Sequence, residues 1–304
     1  MFIIKYKKIF ISISIALVTL SVISMFYFGF NVGIDFKGGA LTEISYENDR
    51  PSKEDLTSAI EKLNIGSVLL QGAGDKGYII KSRDLNENEH LALLQALSGP
   101  DGNEAKETNF NSIGPSVGAE LTRKAIISVV LVSLAIIFFI AFAFRKVSKP
   151  VSSWKYGLIA VVALIHDVVI PSGIFVLLSH FFGAELDTLF VVAVLTILGL
   201  SVSDTIVIFD RIRENSKEQN DHKQTDFKTI VGNSLDQSFV RSLATSMTVI
   251  LVLLALVFFG PESTKYFALM LTAGMFFGTY SSIFLASPLL VLVEEHQKPR
   301  PARP

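Results

Sequence analysis

The chain has 304 residues, 50% of them apolar, with 24 Phe and a mean hydropathy of +0.49, which excludes an ordinary soluble domain and points to a membrane protein. Its 27 Lys and Arg against 28 Asp and Glu leave a net charge of −1, so no overall field marks it for nucleic acid. Cysteine is absent, which removes disulfides, thiolate metal sites and cysteine nucleophiles.

A bilayer-spanning helix needs about 20 mainly apolar residues. Six stretches qualify: 9–30, 125–144, 156–181, 188–209, 242–259 and 266–293. The first follows Lys5, Lys7 and Lys8 but is longer than a signal-peptide core, so it reads as a retained anchor. Lys and Arg gather at the N-terminus, at 145–155 (Arg145, Lys146, Lys149, Lys155), at 210–241 and in the tail (Lys298, Arg300, Arg303). The loops 182–187 and 260–265 hold only Lys265. By the positive-inside rule both termini are expected to be cytoplasmic. Residues 1–30 are then a cytoplasmic N-terminus and first span, 31–124 an extracytoplasmic domain, 125–293 five further spans with a cytoplasmic loop at 210–241, and 294–304 a cytoplasmic tail.

The outer domain is patterned like a soluble one. "ALTEISY" reads as a strand, and "PSKEDLTSAIEKL" as a helix capped by Ser52 with Asp55 three residues on. "SVLLQ" and "GYIIKS" flank a turn at 72–75; "NENEHLALLQAL" is a helix capped by Asn86 and stopped at Gly99-Pro100; "AKETNFNSI" is a last strand. The order βαββαβ predicts a ferredoxin-like α+β domain. It holds no metal-ligand or nucleophile constellation, so neither enzymatic activity nor a cofactor is expected.

"GIDFKGG" (33–39), "GPSVGAEL" (114–121), "HDVV" (166–169) and "VSDTIVIFDRIREN" (202–215), in that order on a six-span layout, resemble the SecD/SecF family of protein-export membrane proteins. The resemblance covers nearly the whole chain. It implies a six-helix bundle related to proton-driven RND-type pumps, a partner of similar build named SecD, association with the SecYEG channel, and use of the proton gradient to draw secretory polypeptides outward. Ser203 departs from the Asn expected before the aspartate in many relatives; its hydroxyl keeps one donor and one acceptor.

The residues support a transport role on their own terms. Asp167 lies 12 residues beyond Lys155, hence ~18 Å from the cytoplasmic edge and close to the midplane. An ionised carboxylate there costs at least ~2.5–3.5 kcal/mol, so it should face the bundle interior, water or a cation, and it can load and release a proton. Pro171, four residues on, has no N–H to give the Asp167 carbonyl. His166 points about 100° away from Asp167 on a helix and is expected not to share its face; it is either a relay or a packing residue. Asp204 follows Ser201 and Ser203, ~9 Å from the cytoplasmic edge and ~9 Å in depth from Asp167, so water or serine hydroxyls must link the two. Arg211, seven residues after Asp204, lies on the same face and within reach of it, but snorkelling at a helix end is the favoured reading for Arg211 and Arg213. The plainer alternatives are a carboxylate that only joins two helices, and Arg211 and Arg213 snorkelling at a helix end.

Gly274 and Gly278 make a small-xxx-small pair for close helix packing. Ser242, Thr245, Ser246 and Thr248 suit either a water path or interhelical bonds. Gly33, Gly38 and Gly39 lack the strand, helix and Lys-Ser/Thr of a phosphate loop; with Asp35, Gly114 and Pro115 they read as two hinges flanking the outer domain. The expected function is proton-driven assistance to protein export. Alternatives are a small-molecule efflux transporter and a structural scaffold for a membrane partner.

Overall fold

The computed structural model describes residues 2–98, 103–144, 151–220 and 226–297. The chain divides into two units, Met1–Asn31 with Ser128–Pro304, and Val32–Ile127, against the 31–124 expected for the outer domain. In chain order the elements are α1 (Phe2–Lys5), α2 (Lys7–Phe28), α3 (Ile34–Lys37), β1 (Gly39–Ser45), α4 (Lys53–Glu61), β2 (Leu69–Ala73), β3 (Gly77–Ser82), α5 (Glu87–Leu97), β4 (Lys106–Ile113), α6 (Pro115–Ala143), α7 (Ser153–Phe182), α8 (Thr188–Asn220), α9 (Phe227–Phe259), α10 (Glu262–Ser281), a π-helical turn (Ser282–Ala286) and α11 (Ser287–Gln297). The Gly99-Pro100 stop and the cations Arg145, Lys146, Lys149, Lys298, Arg300 and Arg303 lie outside the described residues.

Among the described residues six helical stretches are long and apolar enough to cross a membrane: α2, α6, α7, α8, α9, and α10 through α11. They associate by a logic opposite to that of a soluble protein, because lipid is as apolar as leucine and small or polar residues drive the contacts. In α2 the buried residues are Lys7, Ser14, Ser21 and Ser24, while Leu20, Ile23, Phe26 and Tyr27 face outward. Ser21 sits where a Cβ on Gly173 of α7 would fall, and Ser24 donates to the Gly173 carbonyl at 3.4 Å. In α9 a stripe of Ser234, Ser238, Ser242 and Ser246, each four residues apart, is buried in the same way. Exposed Phe and Tyr at the C-terminal ends of α2, α7 and α9, among them Phe26, Tyr27, Phe181, Phe182, Phe258 and Phe259, match the aromatic residues that mark a membrane interface.

The expected loop at 210–241 is mostly helix. α8 continues to Asn220 and α9 begins at Phe227. Hydropathy falls at Asp210, yet Ile212, Phe227, Ile230, Val231 and Leu235 stay buried, and Asn215 donates to Ser234 (2.8 Å) and Gln237 (3.0 Å) to tie the two extensions together.

The second unit is a four-stranded antiparallel sheet in the order β2-β3-β1-β4, with α4 and α5 in the βαββαβ sequence. Ala40, Thr42 and Ile44 of β1 point to one face, beside Tyr78 and Ile80 of β3, and Leu56, Ile60, Leu93 and Leu97 of the two helices close over them. Alternation of period two on β1 and the helix face on α5 meet in that core. Ser52 caps α4 by accepting from the Asp55 N–H, and Asn86 and Glu89 form a reciprocal capping box on α5. Arg83 binds Glu89 through both guanidinium nitrogens (2.5 and 3.0 Å); that bond, helped by the Asn86 N–H, lowers the Glu89 carboxyl to about 2. Tyr46 donates to the Leu97 carbonyl at 2.8 Å, and burial, with Tyr78 nearby, pushes its phenol up to about 12.

Candidate functional site

Asp167 is fully buried at the centre of α7. Its Oδ1 meets His166 Nδ1 at 2.8 Å, while Oδ2 accepts from Ser201 of α8 and from Ser281 of α10 at 2.7 Å. Three donors on three helices occupy three of the four lone-pair sites of one carboxylate. The expectation that His166 cannot share the face of Asp167 is corrected here. Their Cβ atoms diverge, but the short carboxylate and the imidazole swing toward each other as the ring packs parallel to Tyr280 (centroids 6.1 Å, 15°). His166 Nε2 is buried and has no partner among the described residues. Pro171 lies within α7, which runs helical past it to Phe182.

Asp204, one turn beyond Ser201 on α8, accepts from Ser242 of α9 at 2.6 and 2.5 Å. It opens on a cavity of about 150 Å³ whose walls include Ser201, Ser203, Ser242, Ser246, Thr279 and Arg241. Thr279 donates to Ser246 (2.5 Å), and Ser246 to the Ser242 carbonyl (2.9 Å). Ser201 belongs to both sites, since it holds Asp167 and lines the cavity of Asp204. Arg211 pairs with Glu214 at 2.8 Å on the exposed surface, as the helix-end reading has it, an i,i+3 carboxylate being nearer than one two turns away. The cation on the cavity wall is Arg241, the residue before Ser242, which sequence spacing along α8 had no means of selecting.

The last span closes the site. Gly274 leaves room for Ile197, and a Cβ on Gly278 would stand 3.3 Å from Ser201 Cβ, so α10 lies tightly on α8. Ser282 shares a hydrogen bond with Thr205 at 2.8 Å. Ser281, Ser282 and Thr205 were not singled out from sequence; the run "TYSS" after the glycine pair was the available signal.

The two hinge segments meet within the second unit. Gly33 is the N-cap of α3, Asp35 lies in its first turn, and Gly38 and Gly39 leave it at φ +80° and +140°. A Cβ on Gly38 would be 3.0 Å from Pro115 Cα, and one on Gly118 would be 3.0 Å from the Gly38 nitrogen and the Phe36 oxygen. Gly114 precedes Pro115, the first residue of α6, a position where proline's missing N–H costs nothing. The segments are packed backbone against backbone rather than as free joints.

The family model described as protein export membrane protein SecD/SecF, C-terminal, matches residues 94–296. The chain belongs to the SecD/SecF family. It is 42% identical to the protein translocase subunit SecF of Thermobaculum terrenum over 95% of this chain and 92% of that protein, and 34% identical to that of Anaerolinea thermophila over 95% and 92%. A SecDF translocase subunit from Brucella abortus matches 86% of this chain at 34% identity, the match being 33% of that longer protein. The crystal structure of SecDF from Thermus thermophilus superposes with a TM-score of 0.81 at 29% identity, over 97% of this chain and 38% of that one. For the SecD/SecF family the chain is thus similar to a SecF-type protein in full and to one part of the fused SecDF form. It is a multi-pass membrane protein with the fold of that SecDF structure.

Proposed function

We propose that this chain serves protein export as a translocase subunit in the inner membrane, paired with a SecD-type partner of similar build and acting beside the SecYEG channel on secretory polypeptides. Both termini face the cytoplasm, and the ferredoxin-like domain works outside. The observation that carries the reading is Asp167, fully buried mid-span yet given three donors from three helices. Ionisable groups at that depth are functional by default. In the anionic state the carboxylate accepts from His166, Ser201 and Ser281. When it is protonated its O–H needs an acceptor, which His166 Nδ1 supplies by changing tautomer or a serine supplies by turning its hydroxyl. Ser201, which donates to Asp167 and lines the cavity of Asp204, is the group through which a proton would pass between the two carboxylates. Arg241 lines the same cavity as Asp204 and supplies a cation there.

One proton crossing ~100 mV releases about 2.3 kcal/mol, enough to bias a two-state movement about fiftyfold. The expected result of Asp167→Asn in membrane vesicles is loss of the gradient-dependent stage of export with assembly intact; unchanged stimulation removes the ion-carrying role. A scaffold whose carboxylates only join helices is favoured instead if the Asp167→Asn, Asp204→Asn double variant still stimulates export.

A further inference from the structure

The last membrane span is not one α-helix. α10 ends at Ser281, a five-residue π turn runs from Ser282 to Ala286, and α11 continues from Ser287. A π turn holds one residue more than the α-helix needs, and such turns occur mainly at functional positions. Here it adjoins the carboxylate. Ser281, the residue before it, donates to Asp167 Oδ2 (2.7 Å) and lies 3.0 Å from the Gly278 carbonyl. Ser282, its first residue, bonds Thr205 (2.8 Å), and Ser287, the first residue after it, donates to the Ser282 carbonyl (3.0 Å). All three serines are fully buried. Beyond the turn stands Pro288, which cannot donate the bond that an α-helix requires at the Phe284 carbonyl, so the α ladder is interrupted there in any case.

Ser281 has one hydrogen and two acceptors. A charged carboxylate wins it, because a bond to an ion is about twice as strong as one between neutral groups. A neutral Asp167 forfeits that advantage, and the hydrogen turns to the Gly278 carbonyl. The face of α10 toward α8 is closely packed, with Gly274 against Ile197 and Gly278 against Ser201. The ionisable groups facing Asp167 are His166 on its own helix, with Tyr280 of α10 stacked on the imidazole, and Asp204 on α8; α2 brings the hydroxyl of Ser24 to the Gly173 carbonyl further along α7.

We propose that the π turn Ser282–Ala286 is a register device, with Ser281 as its positioning residue, that converts the charge on Asp167 into rotation of α10 against α11. With Asp167 charged, Ser281 holds the extra residue in the turn. With Asp167 neutral, the extra residue passes out of the turn, and α10 rotates by about 100° and shifts by about 1.5 Å, one residue of α-helix. This rests on the reading that Asp167 changes charge during the transport cycle.

The chain has no cysteine, so single reporter cysteines suffice for a test. Spin labels at 275, 276 and 277, and at 292 and 293 as controls, are read for oxygen collision rate in the complex with its SecD-type partner reconstituted in lipid vesicles. Position 276 faces outward and 275 is buried. The expected result is that Asp167→Asn, which mimics the neutral state, moves the accessibility pattern of 275–277 by one residue and leaves 292 and 293 unmoved. Ser281→Ala gives the same displaced pattern and cuts gradient-dependent export about tenfold or more, the factor set by one bond to a charged group. Ser281→Thr, which keeps the hydroxyl, restores both. Identical patterns in the parent and in Asp167→Asn, with export abolished by that substitution, overturn the register device and leave the ion role standing. Unchanged export in Asp167→Asn overturns the reading beneath it. Ser281→Ala that loses export without displacing the pattern also overturns the device.

Discussion

Asp167 and Ser203 show how differently two polar residues of one bundle are placed. Asp167 is reached by His166, Ser201 and Ser281. Ser203 lines the cavity, and its hydroxyl makes no hydrogen bond among those of the described residues. Ser201→Ala should therefore reduce gradient-dependent export about tenfold, the loss of one charge-assisted bond, whereas Ser203→Ala should change it less than about twofold; vesicle export assays on the two variants compare them directly. His166 is the instructive miss at this scale. Helix geometry sets Cβ directions, not where a side chain ends, and the rotamer that brings the imidazole onto Asp167 follows from Tyr280, 114 residues away. Arg211 ends on the exposed surface with Glu214, the helix-end placement favoured from sequence over a reach back to Asp204.

At the scale of elements, the packed glycine seam of α3 and α6 carries a stability prediction. Gly38 adopts φ +80° and faces Pro115 backbone at 3.0 Å; Gly38→Ala imposes backbone strain of roughly 1–3 kcal/mol. Thermal unfolding in detergent should show a lower midpoint for Gly38→Ala, with Gly114→Ala, which meets nothing within 4 Å, close to the parent. The N-terminus of α5 makes a pH prediction. Glu89 has its folded carboxyl lowered from 4.5 to about 2, chiefly by Arg83. A depressed carboxyl stabilises the folded state above its unfolded value and loses that contribution as pH falls through the folded one. Amide protection at the first turn of α5, corrected for intrinsic exchange, should accordingly fall between pH 4.5 and about 2, and Arg83→Ala should shrink that pH-dependent loss because the folded carboxyl returns toward its unfolded value; the effect is small because the pair is solvent-exposed. The spans themselves were readable because twenty apolar residues admit little besides a membrane helix. The helical extensions past Asp210 and before Ser242 were not, since hydropathy reports lipid and those turns are held by Ile212, Phe227 and Leu235 packing in protein.

At the scale of the whole molecule, the proposed function assigns polypeptide handling to the ferredoxin-like domain and energy conversion to the buried carboxylate centre of the bundle. Crosslinkers at positions 40–110 should capture an arrested secretory chain; capture of small ligands alone would shift the assignment to efflux. The serine faces of α2 and α9 make the bundle polar at its seams and apolar toward lipid, the arrangement that association in hydrocarbon demands. By itself the sequence determined the number of spans, the βαββαβ domain, the family and the two carboxylates, because each of these is written in local periodicity, composition or short motifs. Only the tertiary structure decided that Ser281 and His166 complete the Asp167 shell, that Arg241 lines the cavity of Asp204 while Arg211 does not, and that the last span carries a π turn beside them. Those facts depend on which faces of separate helices meet, and residues as far apart as 167 and 281 become neighbours only when the bundle closes.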